Sequence, residues 1–247
     1  MTPLADSAVN ALVIVPTYNE RENLPAFVAA VFAALPAATL LIVDDASPDG
    51  TGDLAEQLLR GEPRLRLLRR PRKEGLGRAY IAGFRWALAR AYKHILQMDA
   101  DFSHDPKDLP RLLAASATAD VVVGSRYRNG VRVLNWPLRR LFLSYGAGIY
   151  VRLFTRLPVM DPTGGFKCFR REVLAALPLD SIAAQGYGFQ VETTHTAWRS
   201  GFTIREIPIV FADRTAGTSK MSLAIAWEAI WLVLKLAMRR GSATRRA

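Results

Sequence analysis

Residues 92–104 read YKHILQMDADFSH, an apolar run that ends in two closely spaced carboxylates. Residues 94–98 are predicted to form a buried strand, because a short apolar run that ends in a turn signal favours one. On extended backbone, residues i and i+2 point to the same side, so Asp99 and Asp101 can converge on one hard cation, which commonly carries a substrate's phosphates. The alternative is that both aspartates only begin a loop, since Asp favours turns and helix N-caps.

Similar apolar runs recur on both sides of this segment and alternate with segments of helical pattern. Strands are predicted at residues 11–15, 40–43, 65–68 and 120–123, and helices at residues 23–34, 51–60, 77–91 and 106–115. Alternation of this kind favours a mostly parallel sheet with helices on its faces. We therefore expect an α/β fold of the Rossmann-like type.

The second half of the chain has a less regular pattern. Helices are predicted near residues 137–154, 171–177, 189–200 and 221–238, and strands at residues 166–169 and 203–210. No segment has the composition of an interdomain linker, so we expect one domain over residues 11–238, with a nucleotide-sugar half (11–124) and an acceptor half (125–238). Residues 1–10, which lack the pattern of a signal peptide, are expected to be disordered. Residues 239–247 are expected to form a basic tail.

The formal net charge of +11 and the isoelectric point near 10.3 indicate an anionic partner. Seven arginines and no acidic residue lie between residues 126 and 160, interleaved with aromatic and large aliphatic side chains. This mixture suits a lipid headgroup region better than a nucleic-acid groove, although a core helix with solvated arginines has the same composition. The one cysteine, Cys168, excludes an intramolecular disulfide and fits a reducing compartment.

The C-terminal segment 221–238 is apolar except for Ser222, Glu228 and Lys235. A helix that spans a bilayer needs about 20 mostly apolar residues, so we expect an amphipathic helix that packs on the domain or lies on a membrane surface. An ordinary core helix is the alternative.

Polar side chains also follow the first two predicted strands, where parallel sheets bind ligands. Tyr18 could stack on a base, and Glu20 could accept a hydrogen bond from that base or from a ribose. Asp44 or Asp45 could bind the edge of either group. Each of the two aspartates could instead be a turn former, but their joint placement with Tyr18 and Glu20 favours a nucleotide site.

Three of these strand ends resemble the inverting glycosyltransferases of the GT-A fold, glycosyltransferase family 2. They are residues 13–20 (VIVPTYNE), 42–51 (IVDDASPDGT) and 98–101 (MDAD). A closer resemblance, to the dolichyl-phosphate and polyprenyl-phosphate mannosyltransferases, rests on residues 75–80 (GLGRAY), 124–127 (GSRY), 161–166 (DPTGGF) and 217–220 (GTSK). The motifs occur in order over residues 11–221.

The resemblance implies transfer of mannose from GDP-mannose to polyprenyl (dolichyl) phosphate, with inversion at the anomeric carbon. It implies that the donor nucleotide is lined by Pro16, Tyr18, Glu20, Val43, Asp45 and the main chain of Ala100. It also implies that Asp99 and Asp101 hold Mg²⁺ or Mn²⁺ at the donor's diphosphate. Ser103 is a third candidate ligand, at a position where some relatives carry Gln.

Arg140 and Ser144 are four residues apart and so share one face of the predicted helix. With Arg126 they could bind the acceptor phosphate through charge-assisted hydrogen bonds, and the resemblance implies the same three residues. It further implies that Arg214 and Lys220 close over the donor's diphosphate. The candidate catalytic residues are therefore Asp101, Arg126, Arg214 and Lys220. Gln190 and Glu192, on the helix predicted near residues 189–200, are expected to line the site. His104 is expected to cap a helix near Pro106.

Other functions stay open on the sequence alone. The same fold could use UDP-glucose or another sugar nucleotide with polyprenyl phosphate, or it could bind a nucleotide without catalysing a reaction. Nucleic-acid binding is suggested only by charge, and no recognition motif supports it. We expect a peripheral protein on the cytoplasmic face of a membrane, with a possible membrane-protein partner and no nucleic-acid partner.

Overall fold

The structure is a computed structural model that describes residues 10–182, 184, 186–212 and 223–238. Its first half contains β1 (Ala11–Thr17), α1 (Leu24–Ala34), β2 (Thr39–Asp44), α2 (Thr51–Gly61), β3 (Leu65–Arg69), α3 (Leu76–Leu88), β4 (His94–Gln97), a short 3-10 helix (Pro106–Asp108), α4 (Leu109–Ala115) and β5 (Val121–Ser125). Its second half contains β6 (Val133–Leu134), α5 (Leu138–Thr155), β7 (Lys167–Arg170), α6 (Arg171–Ala176), α7 (Gly186–Arg199), β8 (Ile204–Pro208), β9 (Phe211–Ala212) and α8 (Leu223–Met238).

Seven strands form one sheet in the order β3-β2-β1-β4-β7-β5-β8. Every neighbouring pair is parallel except the two that involve β7, which runs antiparallel to both β4 and β5. The expected mostly parallel α/β sheet is therefore confirmed. The reversed direction of β7 was not predicted, because a buried apolar strand has the same residue pattern in either direction. Strands β6 and β9 form a separate parallel pair and, at two residues each, were too short to predict.

The central strands of the sheet are buried on both faces, as their continuous apolar sequences require. Val13 and Val15 of β1 pack with α1 and α4 on one face, while Leu12 and Ile14 pack with α3 and α7 on the other. Helix α3 lies so close to β1 that a Cβ on Gly83 would stand 2.6 Å from Cγ2 of Ile14.

The C-terminal helix packs on the domain. Val233 and Leu236 of α8 share a small apolar cluster with Val151 of α5 and Val191 of α7. The hydroxyl of Tyr150 also donates to the backbone oxygen of Ile230 at 3.2 Å. Of the alternatives for this helix, packing against the rest of the domain is the one observed.

Within the described ranges, no helix combines the length and the apolar character that crossing a membrane requires. Residues 1–9, nearly all of the segment expected to be disordered, lie outside the described ranges. The basic tail at 239–247, Arg214 and Lys220 also lie outside them.

Candidate functional site

The carboxyl ends of β1 and β2 bring five of the predicted donor residues to one edge of the sheet. Pro16 and Val43 are register partners on the two strands. Just beyond them, the ring of Tyr18 lies 3.6 Å from the Nζ atom of Lys73, a cation–π contact. The carboxylate of Glu20 accepts from the side-chain amide of Asn23 at 3.1 Å, which stiffens the turn after β1.

The two adjacent aspartates at the end of β2 have different partners. Asp44 accepts hydrogen bonds from the hydroxyls of Thr17 (3.1 Å) and Ser47 (2.6 Å) and from the Ser47 amide (3.2 Å). These bonds hold the turn after β2, so the turn-forming interpretation applies to Asp44.

Asp45 instead organises the segment that enters α3. Its carboxylate accepts from the backbone amides of Glu74 (3.1 Å) and Gly75 (3.0 Å) and forms an ion pair with Arg70. Gly75 has φ +94°, a conformation that residues with a Cβ rarely adopt. Asp45 therefore fixes a basic loop, residues 70–75, beside Tyr18. We call this edge of the sheet, at the carboxyl ends of β1 and β2, the Tyr18 edge.

The turn after β4, residues 99–103, is tightly held. The Asp101 side chain accepts from the Ser103 amide at 3.1 Å, and Phe102 between them has φ +58°. Asp99 accepts from the hydroxyl of Tyr80 at 3.3 Å. Asp101 and Ser103 are buried, and Asp99 is partly exposed.

The oxygens of this turn fit a hard divalent cation. Asp99, Asp101 and Ser103 offer two carboxylates and a hydroxyl, the ligand type that Mg²⁺ and Mn²⁺ take. The Ser103 hydroxyl oxygen is buried and has no hydrogen-bond partner in the described part of the chain, which is rare for a buried polar atom. Over the same residues, no three His, Cys, Asp or Glu side chains converge, so an ion here needs further ligands from substrate or water.

His104 does not cap the following helix, and that prediction was wrong. The cap is Asp105, whose side chain accepts from the Lys107 amide at 3.0 Å. The His104 Nδ1 atom instead accepts from the Asp99 amide at 3.4 Å. Burial lowers the pKa of His104 despite the nearby Asp99 and Asp101 carboxylates, so the ring is neutral and steadies the turn.

Arg126, at the end of β5, is buried and paired, whereas the sequence suggested a side chain that faces the acceptor. Its Nε and Nη2 atoms donate to the two carboxylate oxygens of Asp161 at 2.7 and 2.5 Å, and Nη2 also donates to Thr163 at 2.7 Å. Burial alone would raise the pKa of Asp161, but the Arg126 charge and its hydrogen bonds hold that pKa below the ordinary value.

The three predicted acceptor residues meet through two aromatic side chains that the sequence did not single out. Trp136 lies between two guanidinium groups, with its ring 5.5 Å from Cζ of Arg126 and 4.1 Å from Cζ of Arg140. Tyr127 donates its hydroxyl to Ser144 at 2.7 Å. The available signal was the interleaving of aromatic residues with arginines between residues 126 and 160.

Arg214 and Lys220 lie outside the described residues. The chain just before them contacts the turn after β4: the Ala212 amide donates to the backbone oxygen of Ser103 at 3.3 Å, and Phe211 forms an antiparallel bridge with His104. Ring contacts also join Phe211 to His104 (5.2 Å) and Trp136 (5.4 Å). Phe211 therefore connects the turn after β4, in the predicted donor part of the site, to Trp136, in the predicted acceptor part.

Helix α5 exposes an unusual number of large apolar side chains. Those at least 39% exposed on this helix are Leu138, Phe142, Leu143, Tyr145, Ile149, Leu153 and Phe154. A soluble surface seldom gathers so many, and the α5 arginines lie among them.

The amino-acid sequence of this chain is similar to a known protein family and to two named relatives. The model of the family described as "Glycosyl transferase family 2" matches residues 12–178. The chain is 47% identical over 222 residues to undecaprenyl-phosphate mannosyltransferase of Micrococcus luteus, covering 90% of this chain and 91% of the relative. It is also 47% identical over 230 residues to polyprenol monophosphomannose synthase of Mycolicibacterium smegmatis, covering 92% and 87%.

Solved structures share the fold at much lower sequence identity. One is glucosyl-3-phosphoglycerate synthase of Mycobacterium tuberculosis with Mn²⁺, UDP and phosphoglyceric acid, at TM-score 0.68 and 19% identity, covering 94% of this chain and 80% of that one. Another is a mannosyltransferase of Pyrobaculum calidifontis with GDP-Man and Mn²⁺, at TM-score 0.57 and 17% identity, covering 92% and 72%. Both bind a divalent metal together with a nucleotide.

Proposed function

The chain belongs to glycosyl transferase family 2, and on that premise we propose that it transfers mannose from GDP-mannose to a polyprenyl phosphate. One observation carries the proposal. Two relatives named for mannose and a polyprenyl carrier are 47% identical to it over 90% and 92% of its length. The products are polyprenyl phosphate β-mannose and GDP.

The donor nucleotide binds at the Tyr18 edge in this proposal. Pro16 and Val43 give an apolar wall, Tyr18 a stacking surface, Glu20 an acceptor, and Ala100 a main-chain contact. Asp45 binds the nucleoside while also holding residues 70–75 in place. Support comes from the convergence of these residues at the carboxyl ends of β1, β2 and β4, where parallel sheets bind ligands.

Asp99, Asp101 and Ser103 would hold Mg²⁺ or Mn²⁺ in the active enzyme, where a bound ion would supply positive charge at the departing diphosphate. Arg214 and Lys220 add positive charge at the same leaving group. The neutral His104 ring, hydrogen-bonded to the Asp99 amide, keeps the turn in one conformation while the donor binds.

The acceptor phosphate is already an anion and attacks the anomeric carbon without a strong general base. Arg140 and Ser144 orient it, and Arg126 adds N–H donors from its fixed place beside Asp161. Rate acceleration then comes from alignment of two bound substrates, which replaces a chance encounter in solution. Attack opposite the leaving diphosphate inverts the anomeric centre.

The exposed apolar face of α5 provides the site with access to a lipid acceptor. Polyprenyl phosphates reside in membranes, and apolar side chains interleaved with arginines suit the headgroup boundary. We propose peripheral association with the cytoplasmic face of a membrane, alone or with a membrane-protein partner.

A transfer assay tests the proposed function. Labelled GDP-mannose, UDP-glucose and UDP-N-acetylglucosamine are each incubated with polyprenyl phosphate, with Mg²⁺, Mn²⁺ or a chelator. We expect a labelled lipid only from GDP-mannose and only with metal. Transfer from UDP-glucose instead would support the second candidate, which is favoured by the fold shared with a UDP-glucose enzyme. No transfer from any donor would favour a nucleotide-binding protein without activity.

A further inference from the structure

Lys167, the first residue of β7, is a fully buried lysine in the middle of the sheet. Its Nζ atom donates to two oxygens of one residue, the backbone and side-chain oxygens of Gln190, both at 2.8 Å. Burial lowers the pKa of Lys167 to about 7, although the Asp161 charge opposes this. A neutral amine has two N–H donors, which equals the number of acceptors that Gln190 presents.

The buried contacts determine the orientation of the Gln190 amide. Its side-chain oxygen accepts from Lys167 Nζ and also from Nε2 of Gln97 at 2.7 Å. The Gln97 Nε2 atom is itself fixed, because it donates to the Gly165 oxygen at 2.8 Å. Both neighbours are donors, so the oxygen of Gln190 faces them and its Nε2 atom faces the other way.

The Gln190 Nε2 atom borders the position that a Cβ on Gly165 would occupy. A Cβ on Gly165 would stand 3.6 Å from Nε2 of Gln190, 3.7 Å from Oδ2 of Asp99 and 3.7 Å from Cε1 of His104. The absence of a side chain therefore leaves a space with an N–H donor on one side and a carboxylate acceptor on another. We call this space the Gly165 recess.

A hydroxyl group matches both polar walls, because it accepts from the amide and donates to the carboxylate. A phosphate oxygen matches only the amide, because it carries no proton to donate to the carboxylate. The recess adjoins the turn assigned to the donor's diphosphate, to which the transferred sugar is attached. A sugar hydroxyl is therefore the ligand that this chemistry selects.

We infer that the Gly165 recess binds one hydroxyl of the transferred sugar, with Gln190 as a specificity-determining residue and Lys167 as the positioning residue that orients it. This inference rests on the proposed function, since it takes the sugar from the donor described there. It adds a contact from α7, and a support from β7, to the donor residues at the ends of β1, β2 and β4.

The test compares GDP-mannose with its 2-, 3-, 4- and 6-deoxy analogues by kcat/KM. For the wild type, one analogue should lose about tenfold or more, because the recess is left with unpaired polar groups. In Gln190→Leu, GDP-mannose should fall to the level of that analogue, and their ratio should shrink to about one. GDP affinity should stay within about twofold, which shows an intact nucleotide site.

Two further variants separate a sugar contact from a general packing effect. Gln190→Glu keeps the shape and can still accept from Lys167 and Gln97, but it presents an oxygen to the recess and should lose the same discrimination. Lys167→Met frees the Gln190 amide to turn and should reduce discrimination while GDP affinity is kept. The control Lys93→Met removes an exposed lysine and should change neither.

Failure of the proposed function and failure of the inference give different results. If the wild type does not transfer mannose from GDP-mannose, the proposed function fails. If it does, but discrimination among the analogues is unchanged in Gln190→Leu and Gln190→Glu, the inference is overturned and the proposed function stands. A parallel loss of GDP affinity in all three variants would assign the network to the fold alone and would also overturn the inference.

Discussion

The guanidinium of Arg126 and the carboxylate of Asp161 form a two-point ion pair, with Nε 2.7 Å from Oδ2 and Nη2 2.5 Å from Oδ1. Their side chains are 5% and 0% exposed. The Asp161 amide donates to Glu206 of β8 at 2.8 Å. The pair therefore joins the end of β5 to the loop before β7 and holds the Arg126 guanidinium beside Trp136.

Asp161→Asn should lower the free energy of unfolding by about 3–5 kcal/mol, because it leaves a buried guanidinium without its counter-charge. Urea titration followed by circular dichroism measures this. The double variant Arg126→Met/Asp161→Asn should recover part of the loss, since the isolated charge is gone. A single variant within about 1 kcal/mol of the wild type would contradict the account of the pair.

Asp101→Ala should lower turnover by roughly a thousandfold, about 4 kcal/mol, if this carboxylate holds the metal at the donor's diphosphate. Initial rates of mannosyl transfer at saturating Mn²⁺ measure it. Asp105→Ala is the matched control, because Asp105 only caps the next short helix. Near-normal transfer in Asp101→Ala would refute the metal role.

Arg140→Ala should raise KM for polyprenyl phosphate by about ten- to a hundredfold, because it removes a charge-assisted contact to the head group. KM for GDP-mannose should barely change. The neighbouring Arg139→Ala, which changes an exposed arginine, serves as the control for overall charge. Equal losses for donor and acceptor would argue against a head-group clamp.

Lys167→Met should change how stability depends on pH. The pKa of Lys167 is about 7 in the folded protein, against an ordinary 10.5. Between these values the unfolded chain binds more protons, so wild-type stability gains from rising pH. The stability of the Met variant relative to the wild type should therefore fall, by roughly 1 kcal/mol per pH unit above pH 7. Urea midpoints at pH 6, 7.5 and 9 measure it, and parallel curves would exclude a depressed pKa.

Phe142→Glu should weaken binding to anionic vesicles without destabilising the fold, because this side chain is 70% exposed on α5. Co-flotation with vesicles of phosphatidylglycerol measures the bound fraction, and thermal unfolding checks the fold. Glu172→Gln, on α6, is a control on another exposed surface. Indifference of the wild type to vesicles would count against peripheral association.

Periodicity was enough to predict the sheet, because apolar runs such as residues 11–15 and 40–43 have no stable place except between two helix layers. Local chemistry was less decisive. Asp44 and Asp45 are the same residue type in adjacent positions, and only their hydrogen-bond partners separate them. Asp favours the helix N-cap far more than His does, so residue type alone pointed to Asp105, which is the cap observed.

Long-range partners were beyond the reach of sequence patterns. Arg126 and Asp161 are separated by 35 positions, and Lys167 and Gln190 by 23. A buried arginine or lysine looks like a surface residue in sequence, since both types are nearly always exposed. The pairing of β7 with β4 and β5 determines which arginine and lysine side chains are buried.

The position of β7 also has a consequence for biosynthesis. Strands β4 and β5 do not pair with each other; each bonds to β7, which the ribosome makes after both. A nascent chain that ends before Lys167 therefore carries open strand edges, which attract other chains. The seven-stranded sheet therefore cannot be completed until β7 and β8 have both been made.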